Sequence, residues 1–159
     1  MAMKKKFPYR AALVACNGTC GEENKCEYGC LGCGKCAEVC KFDAISLNEN
    51  GIAVVDEEKC IACGRCAKEC PQHIIHVHDC ANTIVVKCSN KQKGKEAREA
   101  CSVSCIGCGL CEKACTAEAI KVIAGCAVID EFKCLSCGMC AVKCPRGAIV
   151  DMCGVLTDR

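Results

Sequence analysis

The sequence predicts an α+β fold made of two tandem copies of one small, cysteine-rich module. Of 159 residues, 24 are cysteine, whereas the large aromatic residues that normally fill a core are scarce: no Trp, two Tyr and three Phe. Four cysteine runs share the spacing C-x2-C-x2-C-x3-C, and residues 26–79 align with residues 101–152 at an initial offset of 75 positions. The chain is therefore predicted to repeat one unit that does not depend on aromatic packing.

The four runs account for sixteen of the 24 cysteines, and their spacing is typical of bacterial ferredoxins. In that pattern the first three thiolates bind one [4Fe-4S] cluster and the fourth binds the neighbouring cluster. Because every iron of such a cluster carries a thiolate, the expected chemistry is electron transfer. This crossing rule predicts four ligand sets: Cys30, Cys33, Cys36 with Cys70; Cys60, Cys63, Cys66 with Cys40; Cys105, Cys108, Cys111 with Cys144; and Cys134, Cys137, Cys140 with Cys115.

Three other interpretations fit the runs less well. Disulfides would have to close within tight loops, against the Cα separation and dihedral angle that a disulfide requires. Zinc sites use pairs of C-x2-C, so a third cysteine would be left over in every run. The triplets that begin at Cys26 and Cys101 match the C-x3-C-x2-C motif of radical S-adenosylmethionine enzymes, but the chain is too short for the partial barrel of such an enzyme.

Within each module the pattern predicts short helices, a β-hairpin and a closing strand. A helical piece follows the third cysteine of a run, as in residues 37–39 and 67–69. Two apolar segments separated by Asn50-Gly51, or by Ala124-Gly125 in the second module, are typical of a hairpin. The closing strands are predicted at 74–77 and 148–150. The clusters then form the core, since metal binding supplies folding free energy that few aliphatic side chains can provide.

Three segments lie outside the modules: residues 1–25, with an extra cysteine pair, the Lys-rich connector 80–100 and the tail 153–159. The connector is predicted to be a solvated face, with docking to an acidic partner as the alternative. A net charge of only +2 disfavours nucleic acid as a partner. No apolar run is long enough for a secretory signal or a membrane helix, so a cytoplasmic protein with reduced, metal-binding thiols is expected.

Eight cysteines fall outside the runs. Six of them are candidate ligands of a fifth cluster, the favoured interpretation: Cys16, Cys20, Cys26, Cys80, Cys88 and Cys101. Cys126 aligns with Ile52 in the hairpin and is predicted to be a small buried residue, and the role of Cys153 is left open. The expected number of [4Fe-4S] clusters is at least four, with five favoured and six if all 24 cysteines are ligands. The alternative is that some of the eight are buried thiols.

Three histidines, His73, His76 and His78, lie at the end of the first module. They are predicted to be exposed residues at a strand edge. A role as cluster ligands is the alternative.

Several segments resemble the iron–sulfur region of the B-type subunit of the Rnf complex. They are ALVACNGTC at 12–20, YGCLGCGKC at 28–36, CKFDAI at 40–45, the stretch 88–101 with its Lys-Gly-Lys piece, and CIGC at 105–108. The Asn-Gly-Thr-Cys and Lys-Gly-Lys pieces are not general ferredoxin features, and the resemblance spans about residues 11–150. That family, RnfB, belongs to ferredoxin:NAD oxidoreductases of anaerobic bacteria, in which it takes electrons from reduced ferredoxin and passes them along [4Fe-4S] clusters.

The sequence departs from that family in two places. The family begins with a hydrophobic anchoring helix that is absent here, which implies a soluble relative serving another oxidoreductase, or a membrane complex held through partners. The segment between Cys20 and Cys26 is shorter than in the family and lacks a further cysteine. The resemblance therefore implies an incomplete extra cluster site, in which Cys80 is the candidate substitute.

The sequence as a whole predicts an electron-transfer polyferredoxin, a subunit that relays low-potential electrons between a redox enzyme and ferredoxin or another carrier. Neither a nucleic-acid partner nor a direct membrane anchor is expected, and any contact with the inner face of a membrane would go through partner proteins. The alternative is a catalytic iron–sulfur protein with an open-site cluster, but no nucleotide loop, flavin motif or Ser/His/Asp set is recognisable. A metal-storage protein or zinc scaffold is the third possibility.

Overall fold

The computed structural model describes residues 9–18 and 26–157, and in this part of the chain eight short strands pair two by two. The strands are β1 (Arg10–Val14), β2 (Ile45–Leu47), β3 (Ala53–Val55), β4 (Ile75–Asp79), β5 (Ile84–Val86), β6 (Ile120–Ile123), β7 (Cys126–Ile129) and β8 (Ile149–Asp151). The helices are α1 (Lys35–Glu38), α2 (Arg65–Glu69), α3 (Gly94–Ala100), α4 (Leu110–Ala114) and α5 (Met139–Val142). The predicted α+β class is confirmed. Of the helices in these two ranges, none has the length and apolar character needed to cross a membrane.

Four of the helices begin directly after a glycine in the left-handed conformation. Gly34, Gly64, Gly109 and Gly138 have φ angles of 73°, 73°, 72° and 73°, which glycine adopts without the steric cost of a Cβ. Each of these glycines lies between the second and third cysteine of its run. The chain turns sharply there, and the third cysteine enters the helix with its side chain buried.

Both predicted hairpins are confirmed, as the antiparallel pairs β2–β3 and β6–β7. In the first turn the side-chain oxygen of Asn48 accepts the backbone N–H of Asn50 at 3.0 Å and of Ile52 at 2.9 Å. In the second turn Gly125 has a φ of +89°. A local side-chain hydrogen bond in one turn and a flexible glycine in the other therefore reverse the chain.

The closing strand of each module pairs with a strand from outside the repeated segment. β4 is antiparallel to β1, which belongs to the N-terminal segment, and β8 is antiparallel to β5, which belongs to the connector. The side chains from Ala11 to Val14 are buried by this pairing, which also gives the backbone groups of β1 their partners. Each structural module therefore begins earlier than the repeats at 26–79 and 101–152.

Each module has its own buried core, and a third, smaller core joins the two. This third core contains Leu13 of β1, Val85 of β5 and Val150 of β8. Close to it, the Ser89 hydroxyl donates to the Ala15 carbonyl oxygen at 2.8 Å. The loops that follow β1 and β5 therefore lie side by side at the junction of the modules.

Candidate iron–sulfur sites

The four cysteines of the first predicted ligand set line one cavity of about 360 Å³: Cys30, Cys33, Cys36 and Cys70. The first three come from the loop and helix start at 30–36, and Cys70 directly follows α2. Burial raises the pKa of the Cys36 thiol, and the neighbouring Cys30 sulfur adds to the effect. Thiols that share a cavity in this way are deprotonated together only when a cation binds them.

The second module has two cavities of the same kind. One, of about 320 Å³, is lined by Cys105, Cys108, Cys111 and Cys144, and the other, of about 350 Å³, by Cys115, Cys134, Cys137 and Cys140. Burial raises the pKa of Cys111 and of Cys140 to about 11. These two side chains are therefore neutral thiols near pH 7 and must release a proton when a metal binds.

The remaining predicted set lies in the core of the first module. Cys60 and Cys66 are buried, and Cys40 packs against the same core. Burial raises the pKa of Cys66 to about 11, and the sulfurs of Cys60 and Cys63 also raise it. The backbone N–H of Ala12, in β1, donates to the Cys60 sulfur at 3.3 Å. A strand outside the repeat thus supports a predicted ligand.

Backbone amides donate to cysteine sulfurs at equivalent positions of different runs. In three runs the amide two residues after the first cysteine donates to its sulfur at 3.4 Å: Gly32 to Cys30, Ala62 to Cys60, and Ser136 to Cys134. Ala62 and Ser136 take the left-handed conformation there, with φ of 58° and 52°, which costs free energy in residues that carry a Cβ. Such donors stabilise thiolate charge and tune the potential of a bound cluster.

A fourth cavity, of about 300 Å³, lies between the modules and is lined by four cysteines from outside the runs: Cys16, Cys26, Cys88 and Cys101. Burial raises the pKa of Cys16 and of Cys26, and in both cases the Cys101 sulfur adds to the effect. A Cβ on Gly18 would lie 3.0 Å from the Cys101 sulfur, so any larger residue would crowd this cavity. Its set of four thiols matches that of the cavities inside the modules.

This junction cavity takes two cysteines from each half of the chain. Cys16 follows β1 as Cys88 follows β5, and the other two each precede the first cysteine of a run by four residues. The Cys88 sulfur accepts the backbone N–H of Cys105 at 3.2 Å, and the Cys16 sulfur accepts a backbone hydrogen bond from Cys30. Each half of the cavity is therefore hydrogen-bonded to the first cysteine of a neighbouring run.

Cys126, predicted to be a small buried residue, is 8 % exposed and lies between the junction cavity and the second module. Its Sγ donates to the Cys88 carbonyl oxygen at 3.2 Å. Hydrogen bonds from the Cys126 thiol lower the pKa of Cys88 to about 7 and of Cys105 to about 6, and raise that of Cys126 itself. The alignment with Ile52 indicated burial but gave no sign of this donor role.

The structure does not bring the other candidate cysteines to the junction cavity. Cys80 directly follows β4, where its backbone N–H donates to the Tyr9 carbonyl at 3.0 Å. Cys16 lies at the opposite end of the same β1–β4 ladder, about 20 Å away at the rise of extended chain. Cys153 is exposed, and Cys20 lies outside the described residues.

The three histidines of the first module differ in their surroundings. His73 and His76 are exposed, as predicted, but His78 is 2 % exposed, so the prediction of an exposed edge is wrong for this residue. His78 pairs with Ala11 in the β1–β4 ladder. Because β1 comes from a distant segment, nothing near His78 in the sequence indicates this burial.

The chain matches three families of iron–sulfur domains. Residues 29–74 and 59–119 each match a 4Fe-4S dicluster domain family, and residues 127–150 match a 4Fe-4S binding domain family. All four cysteine runs lie within these segments.

Similar curated proteins are RnfB-type subunits of ion-translocating oxidoreductase complexes. The chain is 47 % identical over 121 residues to that subunit of the Na+-translocating ferredoxin:NAD+ oxidoreductase complex of Acetobacterium woodii, covering 76 % of this chain and 35 % of that protein. It is 46 % identical over 129 residues to the corresponding subunit of the proton-translocating ferredoxin:NAD+ oxidoreductase complex of Clostridium ljungdahlii, covering 80 % and 45 % respectively. The corresponding subunit of the ion-translocating oxidoreductase complex of Methanosarcina acetivorans is 41 % identical over 124 residues, covering 78 % and 46 %. The chain thus spans less than half the length of each of these relatives.

One chain of a solved complex, the formate dehydrogenase, heterodisulfide reductase and formylmethanofuran dehydrogenase complex of Methanospirillum hungatei, aligns with a TM-score of 0.29 and 21 % identity, covering 77 % of this chain and 51 % of that one. This similarity is too low to bear on fold or function.

Proposed function

The chain is a homologue of the iron–sulfur region of RnfB and is built from 4Fe-4S ferredoxin-type domains, and on this basis we propose that it relays low-potential electrons between a redox enzyme and ferredoxin or a similar carrier. The observation that carries the proposal is the set of four cavities, each lined by four cysteines. A bound [4Fe-4S] cluster takes up and releases one electron while its thiolate ligands stay in place. No substrate pocket is needed for this role.

We assign the sixteen cysteines of the runs to four clusters, in the sets that the crossing rule predicts. Three of these sets each line their own cavity, which supports the assignment. The part played by the chain is to supply the thiolates, to exclude water from the third cysteine of each run, and to donate backbone N–H groups to the sulfurs. Hydrogen bonding and solvent exposure together set the potential of each cluster.

A fifth cluster is assigned to the junction cavity, with Cys16, Cys26, Cys88 and Cys101 as ligands. Three features support this assignment: four thiols converge, their burial disfavours uncompensated thiolate charge, and Gly18 leaves space beside Cys101. A sixth cluster lacks such support, because Cys80, Cys126 and Cys153 lie apart among the described residues. The proposed number is therefore five.

Five clusters would form one path through the chain. The junction cavity is hydrogen-bonded to Cys30 on one side and to Cys105 on the other, which supports its place between the modules. The second cysteine of every run is exposed: Cys33, Cys63, Cys108 and Cys137. Electrons could therefore enter and leave through the surface beside these residues, where a partner protein would dock.

The partners belong to the proposal as well. The relatives are subunits of ferredoxin:NAD+ and other ion-translocating oxidoreductase complexes, so we propose a permanent place in a larger oxidoreductase, on the cytoplasmic side, with ferredoxin or a similar carrier as the soluble partner. Two modules joined through a shared core suit a fixed subunit better than a free shuttle, which needs only one module.

The cluster assignment is tested by iron and acid-labile sulfide analysis of the whole chain, prepared anaerobically. Five clusters give about twenty irons per chain. The double variant Cys88→Ser/Cys101→Ser is expected to retain about sixteen, because it removes two ligands of the junction cavity only. Cys153→Ser, which changes an exposed cysteine outside every cavity, is the matched control and should keep the full number.

Two results would contradict the assignment in different ways. About sixteen irons in both the unmodified chain and the double variant would remove the fifth cluster and leave the four in the runs. Fewer than about twelve irons in the unmodified chain would contradict the electron-transfer function itself.

A further inference from the structure

A second group of metal-binding side chains lies at the end of β4, away from the cysteine-lined cavities. Glu57, His78 and Cys80 each offer one ligand atom, and these three atoms lie within 4.8 Å of one another. His78 and Cys80 are two residues apart and extend from the same side of the strand. Glu57 reaches them from the turn between β3 and Cys60. The topology thus joins residues that are far apart in sequence.

The imidazole of His78 provides an independent observation that points to a ligand. It is 2 % exposed, and neither Nδ1 nor Nε2 has a hydrogen-bond partner. The nearest acidic oxygen, Oε1 of Glu57, is 4.0 Å from Nε2, which is too long for a hydrogen bond. A buried ring with two unsatisfied nitrogens is rare in folded proteins, because a polar group taken out of water normally finds a partner.

We propose that Glu57, His78 and Cys80 bind one Zn²⁺ ion, separate from the iron–sulfur clusters. A carboxylate oxygen, an imidazole nitrogen and a thiolate sulfur are the ligand types that Zn²⁺ combines in proteins. The charges also match, since one thiolate and one carboxylate neutralise a divalent cation beside a neutral imidazole. Binding releases the Cys80 proton to solvent and leaves the fourth tetrahedral position to water.

The distances allow this site to form with small side-chain movements. Zinc bonds of about 2.0–2.3 Å place tetrahedral ligand atoms about 3.3–3.8 Å apart, so the present separations must shrink by about 1 Å. Glu57 and Cys80 are half-buried and can move, whereas His78 is held in the strand. The Tyr9 side chain is a near neighbour, because the charges of Cys80 and Glu57, after burial, raise its pKa.

A metal here would connect the turn that leads into the second cysteine run to the β1–β4 ladder. Glu57 is three residues before Cys60, and Cys60 already accepts the N–H of Ala12 from β1. Zinc would therefore hold the same two elements together at a second point. This role is independent of the number of clusters and accounts for Cys80, which the junction cavity does not use.

The test uses the whole chain, loaded with its clusters under anaerobic conditions, so that no cluster cysteines are free to take up zinc. The protein is treated with a chelator, given one equivalent of Zn²⁺, desalted, and analysed for zinc and iron. About one zinc per chain should be retained. X-ray absorption at the zinc edge should show one sulfur at about 2.3 Å and nitrogen or oxygen at about 2.0–2.1 Å.

Two variants with matched controls identify the ligands. Glu57→Gln and Cys80→Ser should each weaken zinc binding at least about tenfold and leave the iron content unchanged. Glu58→Gln, an exposed acid next to Glu57, and Cys153→Ser should behave like the unmodified chain. The buried His78 is left in place, so that loss of zinc is not confused with loss of folding.

Three results would overturn the inference. Four sulfurs around zinc would place the ion in a vacated cluster site. A loss of about four irons in Cys80→Ser would make Cys80 a cluster ligand instead. Zinc binding that is absent from the unmodified chain, or equal in all variants, would exclude these three residues as the site.

Discussion

Cys126 illustrates how a single side chain can act on two proposed clusters at once. It lies in β7, aligned with Ile52 of the first module, and fills the same kind of buried position. Unlike isoleucine, it has a thiol proton, and the hydrogen bonds of that thiol lower the pKa of both Cys88 and Cys105. A donor to a ligand sulfur favours the more negative, reduced state of a cluster. Cys126 is therefore expected to raise the potential on both sides of the junction.

Replacing Cys126 with alanine should lower the reduction potential of the clusters beside it. One lost hydrogen bond is worth about 1 kcal/mol, which corresponds to about 40 mV for a one-electron couple. Cys126→Ser keeps a donor of similar size and should shift the potential less. The measurement is a redox titration followed by electron paramagnetic resonance. Equal potentials in the alanine variant and the unmodified chain would show that the thiol does not tune the clusters.

At the scale of elements, what could be predicted from the sequence was what is local. The glycine that starts each short helix and the turn around Asn50-Gly51 lie next to the residues they order, so helices and hairpins were found. The pairing of β1 with β4 joins segments about sixty residues apart, and no local pattern indicates it. The same contact explains why the burial of His78 was missed. It also explains why spacing alone could not separate the cysteines of the junction cavity from Cys80.

The turn between β6 and β7 packs against the connector and should be sensitive to a single methyl group. A Cβ on Gly125 would lie 2.6 Å from the Lys91 carbonyl oxygen, and the φ of +89° is itself unfavourable for alanine. Gly125→Ala should therefore destabilise the chain by about 2 kcal/mol or more, since strain and a backbone clash add.

Gly147→Ala is the matched control for this variant. Gly147 also has a positive φ, of +63°, but a Cβ there meets nothing within 4 Å, so only about 1 kcal/mol of strain is expected. The midpoint of guanidinium-induced loss of the visible cluster absorbance compares the two variants. If both lose the same stability, the close approach of Gly125 to the connector is not present in solution.

At the scale of the whole molecule, the duplicated sequence produces two similar modules and a site at their junction that belongs to neither alone. Each half supplies a cysteine after its outer strand and a second one before its first run, and the small core of Leu13, Val85 and Val150 holds the halves together. The eight cysteines outside the runs therefore divide by position. Four surround the junction, Cys126 donates to two of the sites, and Cys80 lies at the proposed zinc site.

The central claim is that the junction cluster connects the two modules into one electron path. The most direct measurement is rapid mixing of the oxidised chain with reduced ferredoxin, with the bleaching of the clusters followed in time. In the unmodified chain, and in Cys153→Ser, all clusters should become reduced in one fast phase. In Cys88→Ser/Cys101→Ser, a slow phase containing about half of the bleaching should appear, because electrons that enter one module lose their route to the other. Reduction of every cluster in that variant at the unmodified rate would contradict the account.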